Sequence, residues 1–333
     1  MGAFECNGLK AGCGACTLSY MEYDCQIEQK HDMLRKTMLH GNIFDVLPEI
    51  QIVPSAVTEY RNRIQLHNAN TPCVSVKKNI RKLSAQKIQN VSFGFMNHRG
   101  NDVVVIDDCP ICDPVIRNAL QNKTLKPSLD KDRWTVYGRD NLLISETCRL
   151  CGKYDFLGRQ IKVSAASFFQ SNGKLLEKLI SDVIHVSEQA DHDLICGDFY
   201  CGVGTFGVFL QEVFSSLVLF DQNKAAMQLA KENVKRCGTQ FFAMDDDKFV
   251  KHSHVKGQYG FVVLDPARKG LSNLMTKWLC ENKPKIICYV SCNPSALARD
   301  SKYLLQAGYT LRSLTYYDFY PHTVHIESLA VFD

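Results

Sequence analysis

The amino-acid sequence predicts an α/β protein with a mostly parallel sheet and, before it in the chain, a smaller β-rich domain. From about residue 193, continuous apolar runs alternate with segments of helical periodicity, which is typical of a parallel sheet covered by helices. Between about residues 45 and 165, short alternating runs are separated by proline, asparagine and glycine, which indicates short strands. We therefore divide the chain into residues 1–44, 45–165 and 166–333.

The elements of the last segment follow from their individual patterns. Continuous apolar runs predict buried strands over residues 194–200, 216–221, 261–266 and 285–292. Helical periodicity predicts helices over residues 207–214, 223–238 and 295–308, and also over residues 17–40 in the first segment. At the end of the chain, residues 314–321 and 325–332 predict two strands joined by a short turn, which would form an antiparallel pair at one edge of the sheet.

Composition excludes several classes of protein. Of the 333 residues, 45% are hydrophobic and 22% are charged, as in soluble globular proteins. The sequence has neither an apolar run long enough to span a bilayer nor the pattern of a signal peptide. Fifteen cysteines without a secretion signal favour a reducing cytoplasm, where thiols bind metals or react. We expect a cytoplasmic monomer without membrane contact, and the net charge of +4 is compatible with a nucleic-acid partner.

The most informative stretch is YVSCNPSALAR, residues 289–299. Its apolar start predicts a strand that ends at Ser291-Cys292, and Asn293-Pro294 then turns the chain into a helix. This places one thiol at the carboxyl end of a strand, where open α/β sheets bind ligands. The positive end of the following helix favours the thiolate form. We therefore expect Cys292 to be a nucleophile and not a buried structural cysteine.

A glycine-rich turn predicts a nucleotide pocket. Gly202, Gly204 and Gly207 form a G-x-G-x-x-G pattern between a strand and a helix, and Asp221 ends the next strand. This spacing is typical of a dinucleotide site, so a nicotinamide-dependent reductase is one interpretation. S-adenosylmethionine-dependent methyltransferases share this geometry and have an acid before the turn, as Asp198 is here. Asp265-Pro266 ends a further strand and would lie at the same edge.

Five stretches, taken together and in this order, resemble the RNA uracil-5-methyltransferases: ASFFQSN, DFYCGVGTFG, LDPARKG, VSCNPSALARDS and FYPHTVHIES. The resemblance covers residues 166–333, and YRNR, SFGF and DDCPIC extend it into the first half. It implies a Rossmann-like class I methyltransferase sheet and methylation of carbon 5 of a uridine in RNA. The motifs are most similar to the 23S ribosomal RNA branch, with transfer RNA as the alternative. Many members begin with a small RNA-binding barrel, and we expect this chain to lack that module.

The resemblance also assigns roles to individual residues. It implies that Cys292 adds to carbon 6 of uracil, and that Glu327 is the base that removes the proton from carbon 5. It implies that S-adenosylmethionine contacts Gln170, Tyr200, Thr205, Asp221, Asp245 and Asp265. Two alternatives at the tail stay open, namely His325 as the base and a metal site formed by His322, His325 and Glu327.

The resemblance further implies a [4Fe–4S] cluster in the N-terminal segment. The four matching cysteines are Cys6, Cys13, Cys16 and Cys109. The residues themselves leave two alternatives open, either a zinc site or spectator thiols, because the chain has three CxxC pairs. These pairs are Cys13/Cys16, Cys109/Cys112 and Cys148/Cys151.

The partner that the resemblance implies is a structured RNA loop, because an enzyme can reach the base only when it leaves a helix. Without an N-terminal barrel, contacts to phosphate would come from the β-rich domain. The candidate patch consists of Lys77, Lys78, Arg81, Lys82 and Lys87.

Overall fold

The computed structural model describes residues 5–40, 46–69, 92–128, 130–252 and 257–333, and the basic patch predicted around Lys77 lies outside them. The helices of these residues are α1 (Asn7–Lys10), α2 (Tyr23–Leu39), α3 (Pro114–Gln121), α4 (Gly173–Ser187), α5 (Gly207–Leu210), α6 (Lys224–Asn233), α7 (Asp246–Phe249), α8 (Asn273–Asn282) and α9 (Pro294–Gln306). Across these described stretches, every helix is too short or too polar to cross a bilayer.

The largest sheet has eight strands in the order β1-β14-β15-β13-β12-β9-β10-β11. These strands are β1 (Ile50–Val53), β9 (Ile195–Phe199), β10 (Leu217–Asp221), β11 (Gln240–Ala243), β12 (Tyr259–Leu264), β13 (Ile286–Ser291), β14 (Leu311–Tyr317) and β15 (Glu327–Phe332). All neighbours are parallel except that β15 runs antiparallel to both β13 and β14. The predicted mostly parallel sheet is therefore present.

Two features of this sheet differ from the sequence-based expectation. The tail pair does not form the edge, because β15 inserts between β13 and β14. The edge is instead β1, which pairs in parallel with β14 and so belongs to this sheet and not to the β-rich segment that was predicted to begin at residue 45. Both features depend on pairing between residues far apart in the chain, which local patterns do not specify.

The β-rich part consists of two smaller sheets. One has the order β4-β3-β2-β5-β6 and is entirely antiparallel, and the other is the hairpin β7-β8. Their strands are β2 (Arg63–Asn68), β3 (Phe93–Met96), β4 (Val103–Val105), β5 (Arg133–Arg139), β6 (Leu142–Ser145), β7 (Cys151–Phe156) and β8 (Arg159–Ser164). The alternating pattern of the sequence therefore predicts this region correctly.

The helices lie where the periodicity predicts them, but most of them are shorter than predicted. Met227 and Ala230 of α6, and Val234 directly after it, are buried as expected, but the helix ends at Asn233, before the predicted stop at Gly238. Full burial of an apolar side chain as large as Met227 or Val234 contributes about 1.5–3 kcal/mol to stability, so this face helps to hold the helix on the sheet.

A short segment of the β-rich part connects three regions of the molecule. The Tyr60 hydroxyl donates to the Pro321 carbonyl at 3.0 Å, which ties the segment to the connection between β14 and β15. The Asn62 amide donates to the Gly138 carbonyl at 3.0 Å and accepts from the Gly173 N–H at 2.6 Å. Residues 60–62 thus hold β5, the start of α4 and the chain tail in fixed positions around one edge of the large sheet.

Candidate active site

The candidate site lies where the strands of the large sheet end. Asp221 closes β10, Asp265 follows β12, and Cys292 follows β13. Because β15 is antiparallel to β13, with Ser291 paired to Ser328, its first residue Glu327 lies at the same edge beside Cys292. The topology therefore brings together the predicted nucleophile, the predicted base and two of the acids predicted for the cofactor.

Cys292 is half-buried in the turn between β13 and α9. The Ser291 hydroxyl accepts from the Asn293 N–H at 3.2 Å, and the Asn293 side chain caps α9 and donates to the Arg268 carbonyl at 2.7 Å. Burial raises the pKa of the Cys292 thiol to about 12, with further increases from Glu327 and Asp265, while Arg268 opposes them. The expected preference for thiolate at the helix end is therefore outweighed in the free protein by burial and by the neighbouring acids.

This raised pKa leads to a prediction about alkylation. Only thiolate is alkylated, and its fraction increases about tenfold per pH unit below the pKa, so the reaction of Cys292 with iodoacetamide should accelerate about a hundredfold between about pH 7 and 9. Arg268→Gln should slow the reaction, because this guanidinium lowers the pKa of the thiol. Mass spectrometry of the Cys292 peptide measures the rate, with exposed Cys237 as the internal reference. A rate at Cys292 that does not change with pH would contradict the raised pKa.

Buried Glu327 and half-buried Asp265 form an acidic pair next to the thiol. Glu327 is 2% exposed, and its Oε1 has no hydrogen-bond partner among the described residues. Burial and then the charge of Asp265 raise the pKa of Glu327 well above its ordinary value. Burial, with a contribution from Asp221, also raises the pKa of Asp265 to about 7, while a hydrogen bond with Gln170 opposes this increase. A carboxylate with a raised pKa is a stronger base, as the role predicted for Glu327 requires.

The glycine-rich turn after β9 has the backbone geometry of a ligand cradle. Tyr200, Gly202 and Gly204 have positive φ angles of 61°, 55° and 81°, and Thr205 lies in the same turn. One oxygen of Asp198 accepts from the Gly207 N–H at 2.8 Å, whereas its Oδ1 has no partner within the described parts of the chain. Burial raises the pKa of Asp198 to about 7.

Other residues predicted to bind the cofactor also surround this turn. Asp221 accepts from the Gly202 N–H at 3.0 Å, which holds the turn against β10. Asp245 caps α7 and pairs with Lys248 at 2.6 Å. The Tyr200 hydroxyl donates to the neighbouring Asp246 at 2.8 Å, a contact that sequence reasoning missed because it did not single out Asp246 from Asp245 and Asp247.

Unpartnered polar atoms indicate the chemistry of a ligand that the pocket would accept. The Gln170 Oε1, Asp198 Oδ1 and Glu327 Oε1 atoms are buried and have no hydrogen-bond partner in the ranges that the structure describes. Buried acceptors of this kind are costly unless a ligand or water satisfies them. Together with Asp221 and Asp265 they fit a ligand that carries positive charge and hydrogen-bond donors, as S-adenosylmethionine does.

Two further groups lie near Cys292. Tyr320 and Arg268 belong to motifs quoted above, but the sequence alone assigned them no role. Burial raises the pKa of Tyr320, and the nearby charges of Glu327 and Cys292 raise it further. A hydrogen bond with Ser171 opposes this increase. Arg268 Nη2 lies 3.2 Å from His325 Nδ1, and burial together with this cation lowers the pKa of His325. Tyr320 and Arg268 are identified by their proximity to Cys292 at the sheet edge. The sequence alone does not reveal this proximity.

The alternative metal site at the tail is not formed. His322 Nδ1 lies 3.2 Å from Gln26 Nε2, and His322 Nε2 lies 2.9 Å from the Val57 carbonyl oxygen, so both ring nitrogens are engaged away from Glu327. Within the described ranges, no three histidine, cysteine or acidic side chains are arranged to hold a metal ion. The same finding argues against the zinc site that two CxxC pairs would form, and it gives no support to the predicted iron–sulfur cluster.

The four cysteines predicted as cluster ligands nevertheless share one neighbourhood. Burial raises the pKa of Cys16 to about 12, and the charges of Cys109, Cys13 and Cys6 raise it further. A hydrogen bond with the Cys112 thiol lowers the pKa of Cys109 to about 7. The four thiols therefore lie close enough to influence one another, but their positions do not suit a single metal ion.

Comparison with known proteins places these features in a family. The family model of tRNA (uracil-5-)-methyltransferases matches residues 138–332, which is more than half of the chain. An uncharacterized RNA methyltransferase of Treponema denticola is 32% identical over 257 residues, which cover 72% of this chain and 63% of that relative. The tRNA (uracil(54)-C(5))-methyltransferase of Pyrococcus abyssi is 27% identical over 379 residues, covering 96% of this chain and 83% of the relative.

A solved structure confirms the fold. The crystal structure of the Pyrococcus abyssi tRNA (uracil-54, C5)-methyltransferase in complex with S-adenosyl-L-homocysteine has a TM-score of 0.71 at 24% identity. The match covers 97% of this chain and 86% of that structure. On the family model and the matching α/β architecture, this chain belongs to the tRNA (uracil-5-)-methyltransferase family.

Proposed function

We propose that this protein transfers a methyl group from S-adenosylmethionine to carbon 5 of a uridine in RNA, through a transient bond between Cys292 and carbon 6. The observation that carries the proposal is the placement of Cys292 directly beside Glu327, at the sheet edge that also holds the glycine-rich turn. The family match favours methyl transfer over the nicotinamide-dependent reduction that the glycine pattern alone allowed.

The first step makes carbon 5 of uracil nucleophilic. The Cys292 thiolate adds to carbon 6, and the electron pair of the ring double bond moves towards the carbonyl at carbon 4, so carbon 5 gains electron density. Arg268 favours the thiolate, because its charge lowers the pKa of Cys292. The cofactor, held by the acids and by Gln170, supplies the electrophilic methyl group that carbon 5 accepts.

The last step restores the aromatic ring. Glu327 removes the proton from carbon 5, the electron pair reforms the double bond between carbons 5 and 6, and the Cys292 sulfur leaves as thiolate. Burial of Glu327 supports this assignment, because it raises the pKa of the carboxyl and strengthens it as a base. His325 is the weaker candidate, since its ring nitrogen faces the Arg268 guanidinium at 3.2 Å.

For the RNA, we propose 23S ribosomal RNA, on the strength of LDPAR, SCNP and the tail around Pro321 and His322. The Pyrococcus abyssi relative, named for uridine 54 of transfer RNA, favours transfer RNA as the second candidate.

The test of the RNA substrate is to incubate the protein with labelled S-adenosylmethionine and either transfer RNA or 23S fragments that lack the modification. We expect label in 5-methyluridine of the ribosomal fragments. Label only in transfer RNA would overturn the ribosomal assignment while supporting the reaction.

We also propose that Cys6, Cys13, Cys16 and Cys109 hold a [4Fe–4S] cluster. The closeness of the four thiols supports this proposal, as does Arg61, which lies near enough to lower the pKa of both Cys16 and Cys109. A cluster binds each thiolate through a different iron atom, so its ligands need not converge on one point as zinc ligands do.

Anaerobic purification tests the cluster. The protein should absorb at about 400 nm, as iron–sulfur proteins do, and contain roughly four iron atoms per chain. Cys109→Ser should remove this absorption, whereas Cys148→Ser, an exposed cysteine outside the set, should leave it unchanged. A colourless wild-type protein without bound iron would overturn the proposal.

A further inference from the structure

Helix α2 carries an unusual stripe of buried residues. Gln26, Lys30, Leu34 and Met38 are spaced four apart and are almost completely buried, so they share one face of the helix. The two apolar residues pack into the core of the large sheet. The two polar residues contact the connection between β14 and β15, residues 318–326. Burial of an ammonium group and an amide is costly unless both find partners, so these contacts need an explanation.

Lys30 makes two contacts with this connection. Its Nζ lies 2.6 Å from Asp318 Oδ1, and both side chains are at most 1% exposed. The same Nζ donates to the Tyr320 carbonyl at 3.0 Å. The ammonium group therefore fixes the backbone of Tyr320, and the Tyr320 side chain is the one placed near Glu327 and Cys292.

Gln26 makes an equally specific contact with His322. Its Oε1 accepts from the His322 N–H at 2.8 Å, and its Nε2 lies 3.2 Å from His322 Nδ1. Because Nε2 of Gln26 is a donor, Nδ1 of His322 accepts, and the ring proton on Nε2 is donated to the Val57 carbonyl at 2.9 Å. His322 has a φ of 64°, a left-handed conformation that is costly for a residue other than glycine and that these contacts maintain.

The connection held in this way leads directly into the proposed base. Its outer side faces α2, and its inner side presents Tyr320 and His325 to the site before the chain enters β15 at Glu327. A buried ion pair is often replaceable by apolar residues without loss of stability, so stability alone gives little reason for the arrangement of Lys30 and Asp318. Its specific effect is to hold a backbone that borders the reacting groups.

We propose that Gln26 and Lys30 are positioning residues for removal of the carbon 5 proton, acting through Tyr320 and His322 on the placement of Glu327. This inference rests on the proposed function. It predicts a selective defect in product release, because the side chains of Gln26 and Lys30 bond to the connection that leads to Glu327, whereas Cys292 is held by the turn between β13 and α9.

Two RNA substrates separate the steps. With 5-fluorouracil RNA, carbon 5 carries fluorine and no proton, so the covalent adduct forms without the base and persists. With ordinary RNA, turnover requires proton removal by Glu327. The variants are Gln26→Met and the double variant Lys30→Met/Asp318→Asn, which leaves no buried charge without its partner. The matched control is Lys36→Met, on the same helix but 78% exposed.

We expect both positioning variants to form the fluorouracil adduct within about twofold of the wild-type rate, and to lose about tenfold or more of turnover on ordinary RNA, with its adduct accumulating. Equal losses in both assays would indicate a merely structural role and overturn the inference, as would turnover matching Lys36→Met. A wild-type protein that forms no fluorouracil adduct would overturn the proposed function itself, and the inference with it.

Discussion

Replacing Cys292 by alanine should reduce methyl transfer to RNA by about four orders of magnitude or more. Without the sulfur, carbon 5 of uracil is too weak a nucleophile to accept a methyl group, and the turn between β13 and α9 contains no second thiol. The pocket for the cofactor should remain, because the acids and the glycine-rich turn do not depend on the sulfur.

The measurement is the rate at which label from S-adenosylmethionine enters RNA, with cofactor affinity measured in parallel by calorimetry. Cys280→Ala is the matched control, because Cys280 lies on α8 and outside the site. We expect the control to retain activity and the Cys292 variant to bind the cofactor normally while transferring almost no methyl groups. Retention of transfer by Cys292→Ala would remove covalent catalysis from the account.

Replacing Glu327 by glutamine should have the second-largest effect on the reaction, and it should impair a different step. Loss of a general base typically costs about 10²–10⁴ in rate, and here the loss falls on the step after methyl transfer. The Cys292 thiolate would still add to carbon 6, and the pKa of Cys292 should decrease because one neighbouring acid is removed. The variant should therefore accumulate a covalent complex with ordinary RNA.

Gel electrophoresis under denaturing conditions detects this complex, and single-turnover labelling measures how many methyl groups it contains. Glu281→Gln is the control, because Glu281 lies on the surface of α8 and pairs with Lys277. A Glu327→Gln protein that releases product at the control rate would show that another group removes the proton, and His325 would then be the first to test.

Much of the fold was predictable from local pattern. Continuous apolar runs identified the strands that precede Cys292 and Asp265, and the asparagine before Pro294 identified the start of α9. The insertion of β15 between β13 and β14 was not predictable, since it is determined by pairing between distant strands. That insertion is the physical reason why Glu327 lies beside Cys292, a proximity that sequence resemblance implied but local pattern did not.

Electrostatics at the site was less predictable than topology. The helix start after Cys292 suggested a lowered pKa, but the number of acids near the sulfur and the depth of its burial are properties of the folded chain. The contacts of Gln26 and Lys30 with the tail were likewise hidden, because a helix of mixed composition gives no sign of which polar residues it buries.

The most direct test of the central claim is to locate a covalent bond. The protein is incubated with S-adenosylmethionine and RNA that contains 5-fluorouracil, digested with protease and nuclease, and analysed by mass spectrometry. The account predicts one methylated fluorouridine nucleotide attached to the peptide that contains Cys292. A nucleotide attached to another residue, or methyl transfer to ordinary RNA by a protein that never forms the adduct, would contradict it.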